Sequence, residues 1–332
     1  MMITVVLCTY NRCQSLAKAL ESVAGSDIPE SVGWEVLVVD NNSKDQTREV
    51  VEEFCRRYPG RFRYSFEAKQ GKSYALNSAI REARGSILAF IDDDVVVAPT
   101  WLRNITAPLD SGEWAGAGGR ILAANSFECP SWLPLQGEHN LGGVLALFDL
   151  GDCSGTTSEA FFGANVAYRK EMFEKYGFYR TDLGRCGGGL LSNEDTEFSR
   201  RIIAGGERLW YEPSAVVYHG VPETRLTKSY FLRFYYDHGR SQIREHANRL
   251  DVLGIPRWCF AIPKMVLTIL PSRMGGWLFG SNPKRRFFYK CTVWTTFGEI
   301  VELPRIWFQR KNHEKNRPKE NGEIQRSNVK PG

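Results

Sequence analysis

Apolar runs and amphipathic stretches alternate through the first hundred residues, and that alternation limits the fold more than any other feature. Residues 3–8 form a β-branched apolar run, and a polar turn and an amphipathic stretch at 16–23 follow. A second run, 35–39, ends in Asp40, Asn41, Asn42 and Ser43 before a helical pattern at 47–57. Residues 61–66 alternate as a half-buried strand does; Leu76, Ala79, Ile80 and Ala83 mark one helical face; and 87–91 is again an uncharged run. Strand and helix alternating at this spacing predict a parallel sheet with right-handed crossovers, an α/β fold. No Gly-x-Gly-x-x-Gly follows the first run, and Gly71, Lys72 and Ser73 lack the upstream glycine of a P-loop, that position being Phe66. A standard dinucleotide fold and a P-loop NTPase are both unsupported.

The fourth run opens onto Asp92, Asp93 and Asp94. Adjacent acids at the mouth of a core strand repel one another, and desolvation raises the cost. A hard divalent cation, Mg²⁺ or Mn²⁺, would relieve it, because such ions take carboxylate and phosphate oxygens. Ligands of open α/β sheets also sit beyond the carboxyl ends of the strands. Strand alternation would put Asp92 and Asp94 on one side and Asp93 on the other. A solvated turn would need the same residues, so the triplet alone leaves both readings open.

Seven strings in order decide between them. VVLCTYNR at 5–12, EVLVVDNNSKDQT at 35–47, KQGKSYALNSA at 69–79, FIDDD at 90–94, FFGAN at 161–165, NED at 193–195 and His219 together resemble the family-2 glycosyltransferases. The resemblance covers about residues 3 to 240. It implies the GT-A fold: a mostly parallel Rossmann-like sheet flanked by helices, here with a helical carboxyl-terminal extension. The expected catalytic domain is 1–250, with a nucleotide-sugar half at about 1–122 and an acceptor half at about 123–250. It also implies an inverting transferase that moves a sugar from a nucleoside-diphosphate donor.

Each string also has a chemical reading. Asp40 can accept a hydrogen bond from a base N–H, which favours a uracil-like edge and a UDP-type donor, or it can begin an Asx turn. Thr9, Tyr10 and Arg12 end the first strand; the base can lie on Tyr10 while Arg12 pairs with phosphate or an acid, and Thr9 could equally cap the next helix. Lys72 can reach a diphosphate or remain a solvated loop lysine. Asp93 joins this donor-binding group by resemblance, and Asp92, Asp94 and His219 become the metal group, with His219 a direct or second-sphere ligand or else a structural histidine at a strand end. By resemblance again, Asp195 is the general base that takes the acceptor hydroxyl's proton, and Glu194 binds the acceptor or orients that base. Ser192 or Asn193 could cap a helix here, with the acids favouring its dipole. By resemblance Gly163 and Asn165 fall on the acceptor side, where glycine permits close backbone approach to a ligand; a bulge would need the same glycine.

Composition sets the surroundings. A chain of 332 residues with 42% apolar residues can bury one large domain plus an extension. Eight cysteines without a Cys-x-x-Cys, and an amino terminus that enters a strand at once, predict reduced thiols and a cytoplasmic protein without a signal peptide. Residues 255–332 carry 15 Lys/Arg against 5 Asp/Glu, whereas the rest carries 28 against 33. Residues 251–312 therefore read as a basic, aromatic-rich helical extension that either contacts anionic membrane on its inner face or packs on the domain. No run reaches the roughly 18 apolar residues of a spanning helix. Residues 313–332 read as a disordered tail. The expected acceptor is a glycan or lipid-linked glycan of polysaccharide and cell-envelope synthesis, and nucleic acid is not an expected partner. The alternatives are a sugar-phosphate nucleotidylyltransferase, which wants a glycine-rich first loop, and a non-catalytic nucleotide-sugar-binding module.

Overall fold

The four apolar runs become four parallel strands: β1 (Met2–Thr9), β2 (Gly33–Asp40), β3 (Phe62–Phe66) and β4 (Ile87–Asp92), in the spatial order β3-β2-β1-β4. The computed structural model describes residues 2–29, 32–246, 251–252 and 255–315. Helices α1 (Cys13–Ala24), α2 (Thr47–Arg57) and α3 (Lys72–Glu82) make the crossovers. Alternate strand residues serve opposite faces. Val5, Leu7, Val36 and Val38 meet Leu16, Leu20 and Val23 of α1, while Val6, Leu37 and Val39 meet Leu76, Ala79 and Ile80 of α3. Both faces of the sheet are covered, which is why these strands read as continuous apolar runs.

Parallel register brings the motif-bearing ends together. Thr9 lies opposite Asp40 and Cys8 opposite Asp92, so three polar loops open from one edge of the sheet. Beyond β4 the sheet is mixed, which the alternation of the first hundred residues does not foretell. Strands β5 (Val95–Val97), β6 (Gly116–Ala123), β7 (Gly155–Thr157), β8 (Val166–Arg169) and β9 (Leu209–His219) extend it as β4-β8-β6-β9-β5, with β7 on β9. Strand β8 runs antiparallel to β4, pairing Val166 with Phe90, so the loop before β8 arrives beside the acidic end of β4. The antiparallel pair β5–β9 sets Val95 opposite His219 and delivers that histidine to the same edge.

Helix α4 (Trp101–Thr106) packs under this half, α5 (Glu171–Tyr176) follows β8, and α6 (Glu194–Ala204) starts at the late acidic motif. Phe198 of α6 stacks on Phe173 at 4.3 Å and lies against Tyr168 and Tyr179. That aromatic cluster fixes the helix from behind. The chain closes with α7 (Lys228–Glu245), α8 (Trp258–Lys264), a π-helical turn at Met265–Ile269, α9 (Leu270–Phe279) and α10 (Pro283–Lys315). Helices α7 and α10 cross backbone against backbone. A Cβ on Gly239 would stand 2.1 Å from the Thr295 carbonyl oxygen, and one on Gly298 2.0 Å from that of Tyr236. Residues 313–315, expected in the tail, continue α10; the rest of that tail lies outside the described residues.

Candidate active site

The loops at the strand ends surround a cleft of about 660 Å³, within the range of small-molecule sites. Thr9, Tyr10, Arg12, Lys72, Asp92, Asp93, Asp94, Glu194, Asp195 and His219 all line it, so most residues singled out from sequence meet in one place.

The acidic triplet does not keep strand alternation. Strand β4 stops at Asp92 and the chain turns over Asp93 and Asp94, so the expected opposition of Asp93 to its neighbours is lost. Both Asp93 and Asp94 reach the guanidinium of Arg12, at 3.0 and 2.8 Å. Asp93 also accepts from the Thr9 hydroxyl at 2.7 Å. With both oxygens engaged and its side chain buried, Asp93 braces the β1 loop at the edge of the cleft. Burial and the neighbouring acids push its carboxyl up to about 6 against the opposing pull of Arg12 and Thr9.

Asp94 faces three cationic or polar partners. Arg12 lies at 2.8 Å, Arg225 at 3.2 Å and His219 Nε2 at 3.3 Å. Burial alone would raise Asp94, but the hydrogen bond and charge of His219, with Arg12 and Arg225, outweigh it and hold the carboxyl below its ordinary range. His219 therefore positions Asp94 as the structure stands; its Nδ1 is buried without a partner.

Lys72 is no solvated loop lysine. Gly71 at φ +139°, a backbone conformation that favours glycine, turns the chain into α3, and Asn41 Oδ1 accepts the Gly71 N–H at 2.7 Å. Lys72 Nζ is thereby carried to 2.6 Å from Asp92 Oδ1 and 3.6 Å from Glu194 Oε1. Burial would lower its pKa, but Asp92, Glu194 and Asp195 raise it further, so the ammonium stays charged. Lys72 thus joins the two acidic motifs.

Glu194 is only 3% exposed and supports Lys72 from the cleft wall. Burial and the charge of Asp195 push its carboxyl up to about 7, with Lys72 opposing. Asp195 is held by backbone: Oδ2 accepts the Gly163 N–H at 2.7 Å and Oδ1 the Thr196 N–H at 2.7 Å. Gly163 thus supports the acid from its main chain. Neither expected cap forms. Asn193 precedes α6 in a left-handed conformation, φ +78°, and its side chain turns away to Glu245.

Three predicted residues lie off the lining of this cleft: Gly163, Asn165 and Asp40. Asn165 is buried; its Oδ1 accepts from Trp101 Nε1 at 2.8 Å, and its Nδ2 donates to the Arg120 and Ala215 carbonyls. Its amide pins the sheet, linking α4, β6 and β9 behind the cleft. Asp40 accepts from Ser43 N–H and the Tyr64 hydroxyl, at 2.8 and 3.0 Å, and keeps lone pairs for a further donor. Sequence reasoning missed Arg225, Asn41 and the α7 residues Tyr230, Phe234, Tyr235 and His238, all on the cleft wall. A basic residue six positions after His219 was the available signal for Arg225.

The donor set suits a hard divalent ion. Asp92 and Asp94 present carboxylate oxygens, and Asp94 already meets Arg12 and Arg225 at one oxygen and His219 at the other. Among the described residues no three His, Cys, Asp or Glu side chains gather as a complete site, so phosphate oxygens of a ligand would have to finish the shell.

Comparison with known proteins gives the family and the fold. The family model described as Glycosyl transferase family 2 matches residues 4–177. Succinoglycan biosynthesis protein ExoM of Rhizobium meliloti is 26% identical over 243 residues, 73% of this chain and 74% of that protein. Among solved structures, the mannosyltransferase PcManGT from Pyrobaculum calidifontis in complex with GDP-Man and Mn²⁺ aligns with a TM-score of 0.55 at 19% identity. That alignment covers 93% of this chain and 87% of the other. S. aureus TarS 1-349 in complex with UDP-GlcNAc gives 0.53 at 16% identity, over 93% and 92% of the chains. The sheet order, the helical carboxyl-terminal region and these likenesses give the GT-A fold, and the match over more than half of its length makes this chain a glycosyltransferase of family 2.

Proposed function

We propose that this enzyme transfers a sugar, with inversion, from a nucleoside-diphosphate donor to a hydroxyl of a glycan or lipid-linked acceptor in envelope polysaccharide synthesis. One observation carries the reading: Lys72 spans Asp92 and Glu194, so the Asp-x-Asp end of β4 and the carboxylate of Asp195 face one cleft. Donor and acceptor have to meet between such groups.

Asp195, oriented by two backbone N–H groups, takes the proton of the attacking hydroxyl. The hydroxyl oxygen bonds to the anomeric carbon as its bond to the diphosphate oxygen breaks, and the nucleoside diphosphate departs. One displacement and no covalent enzyme intermediate give inversion. Bound Mg²⁺ or Mn²⁺, held by Asp92 and Asp94, would neutralise charge on the leaving diphosphate. Arg12 and Arg225 stand beside the same carboxylates and are placed to meet phosphate. Thr9, Tyr10 and Asp40 define the base end. Asp40's acceptor character favours a UDP-type donor; the solved neighbours on the same fold include complexes with UDP-GlcNAc and with GDP-Man. ExoM's printed role in succinoglycan biosynthesis supports the acceptor class.

The test is product analysis with nucleotide sugars and Mn²⁺. Transfer, or slow release of nucleoside diphosphate, is expected; Asp195→Asn should keep donor binding and lose transfer by roughly 10² to 10⁴-fold. Full-rate Asp195→Asn would remove the base assignment, and retention of the donor's anomeric configuration would remove inversion. Release of pyrophosphate from a sugar phosphate and a nucleoside triphosphate would favour a nucleotidylyltransferase instead.

A further inference from the structure

The segment that leads into Asp195 has no strand of its own. Residues 190–193 are irregular, yet they set where α6 begins and so where the acid points. Their polar groups are taken up by α7. Asp237 Oδ2 accepts the Leu190 N–H at 2.9 Å, Ser241 Oγ accepts the Ser192 N–H at 3.0 Å, and Glu245 Oε2 accepts from Asn193 Nδ2 at 3.0 Å. Positions 237, 241 and 245 are each four residues apart and therefore share one helix face. Arg233 of the same helix donates to the Gly188 carbonyl, next to that segment.

Helix α7 is in turn fixed by the extension. Glu302 of α10, fully buried, accepts from Arg240 Nε at 2.8 Å and Arg244 Nε at 2.7 Å. Arg240 donates onward to Asp237 at 2.9 Å, and Arg244 to the Asp182 carbonyl at 2.9 Å. The chain of contacts is therefore continuous: Glu302, Arg240, Asp237, Leu190 N–H. The glycine crossing at Gly239 and Gly298 holds the two helices at backbone distance along the same stretch.

We infer that the α7–α10 pair is a positioning device for transfer, with Glu302, Asp237 and Ser241 setting the Asp195 carboxylate through residues 190–193. The inference rests on Asp195 as the base. It assigns the carboxyl-terminal helices a part in the chemistry, beyond packing on the domain. None of the three touches the reacting atoms; each acts through the backbone it holds. The donor residues at the ends of β1 and β4 bond to one another and to Lys72 rather than to Asp237, Ser241 or Glu302, so loss of the network should affect turnover first and spare donor binding.

The test compares Ser241→Ala, Glu302→Gln, their double variant and Asp195→Asn in the full chain. Ser241→Ala removes one hydroxyl and is the variant least exposed to folding failure. Each single variant should lower kcat roughly tenfold or more, since a misplacement of about 1 Å can cost about 10²-fold. Donor KM should stay within about twofold. Because both act on one element, the double variant should lose little more than the worse single one. Wild-type kcat in Ser241→Ala and Glu302→Gln, beside an inactive Asp195→Asn, would overturn the positioning role alone. Losses that multiply in the double variant, or a donor KM that rises as kcat falls, would also overturn it. Full activity of Asp195→Asn would instead remove the base reading on which it depends.

Discussion

At the residue scale the site is an arrangement of charge around one lysine. Lys72 offsets Asp92 on one side and Glu194 on the other, and no second cation pairs with either carboxylate among the described residues. Glu194 gives this a pH signature. Its carboxyl rises from an ordinary 4.5 to about 7 through burial and the charge of Asp195. The native state therefore holds a proton that the unfolded chain has released, and stability falls as pH rises from about 4.5 to about 7. Glu194→Gln removes this contribution. Thermal melts at pH 5 and pH 8 should show the variant losing less stability between them than the parent enzyme; an equal or larger loss would contradict the placement of Glu194. Asp93 titrates in an overlapping window, which is why the difference between the two proteins is the quantity to measure. The motif strings made most of these residues legible, because polar residues at the ends of buried parallel strands share one sheet edge. The pairing of Lys72 was not legible, since a lysine after a loop glycine reads the same whether solvated or enclosed. The burial of Asn165 and Glu194 was not legible either, because it depends on contacts with β6, β9 and α3 far along the chain.

Among elements, the parallel half was readable from period alone. Apolar runs of five to six residues separated by helical stretches leave a parallel sheet as the economical solution. The mixed half was not. Its strands β7 and β8 are three and four residues long, and their neighbours come from distant segments, so no local period marks them. Helices α7 and α10 carry a related lesson. Gly239 and Gly298 sit inside helices, where glycine costs about 1 kcal/mol relative to alanine. In three dimensions they are contact points, each taking the other helix's carbonyl where a Cβ would be. Gly298→Ala should therefore destabilise the protein despite the gain in helix propensity, by about 1–3 kcal/mol for an overpacked contact. A lowered denaturation midpoint would be the expected reading; a raised one, as propensity alone demands, would show that the helices do not cross this closely.

For the whole molecule, charge and apolar surface are distributed unevenly, and this bears on where the enzyme works. The stretch from α8 to α9 exposes Phe260, Val266, Leu267, Leu278 and Phe279, with Leu267 at 74% and Phe279 at 86% of full exposure. Exposed Lys264 lies within this surface, and exposed Lys284, Arg285 and Arg286 begin α10 just beyond it. No helix among the described residues is long and apolar enough to cross a membrane. An apolar ridge beside a basic cluster instead has the chemistry of an interfacial contact, in which aromatic and aliphatic side chains enter the headgroup region and cations meet anionic lipid. We propose this contact as the means by which a lipid-linked acceptor is met at the inner face of the membrane. Each basic residue near such a surface contributes about 1 kcal/mol, so a few cations together with inserted side chains suffice for reversible binding. The full chain should co-sediment with phosphatidylserine-containing vesicles and come off as salt is raised, because screening shortens the reach of the charges. Glu substitutions at Lys284, Arg285 and Arg286 should weaken sedimentation while leaving turnover on a water-soluble acceptor unchanged, because they lie outside the cleft lining. Leu267→Ser with Phe279→Ser should weaken it as well, but with little change in its salt dependence. Binding that ignores lipid charge would leave the basic cluster without this role, and absence of binding to any vesicle would leave α8 and α9 as a surface for another protein.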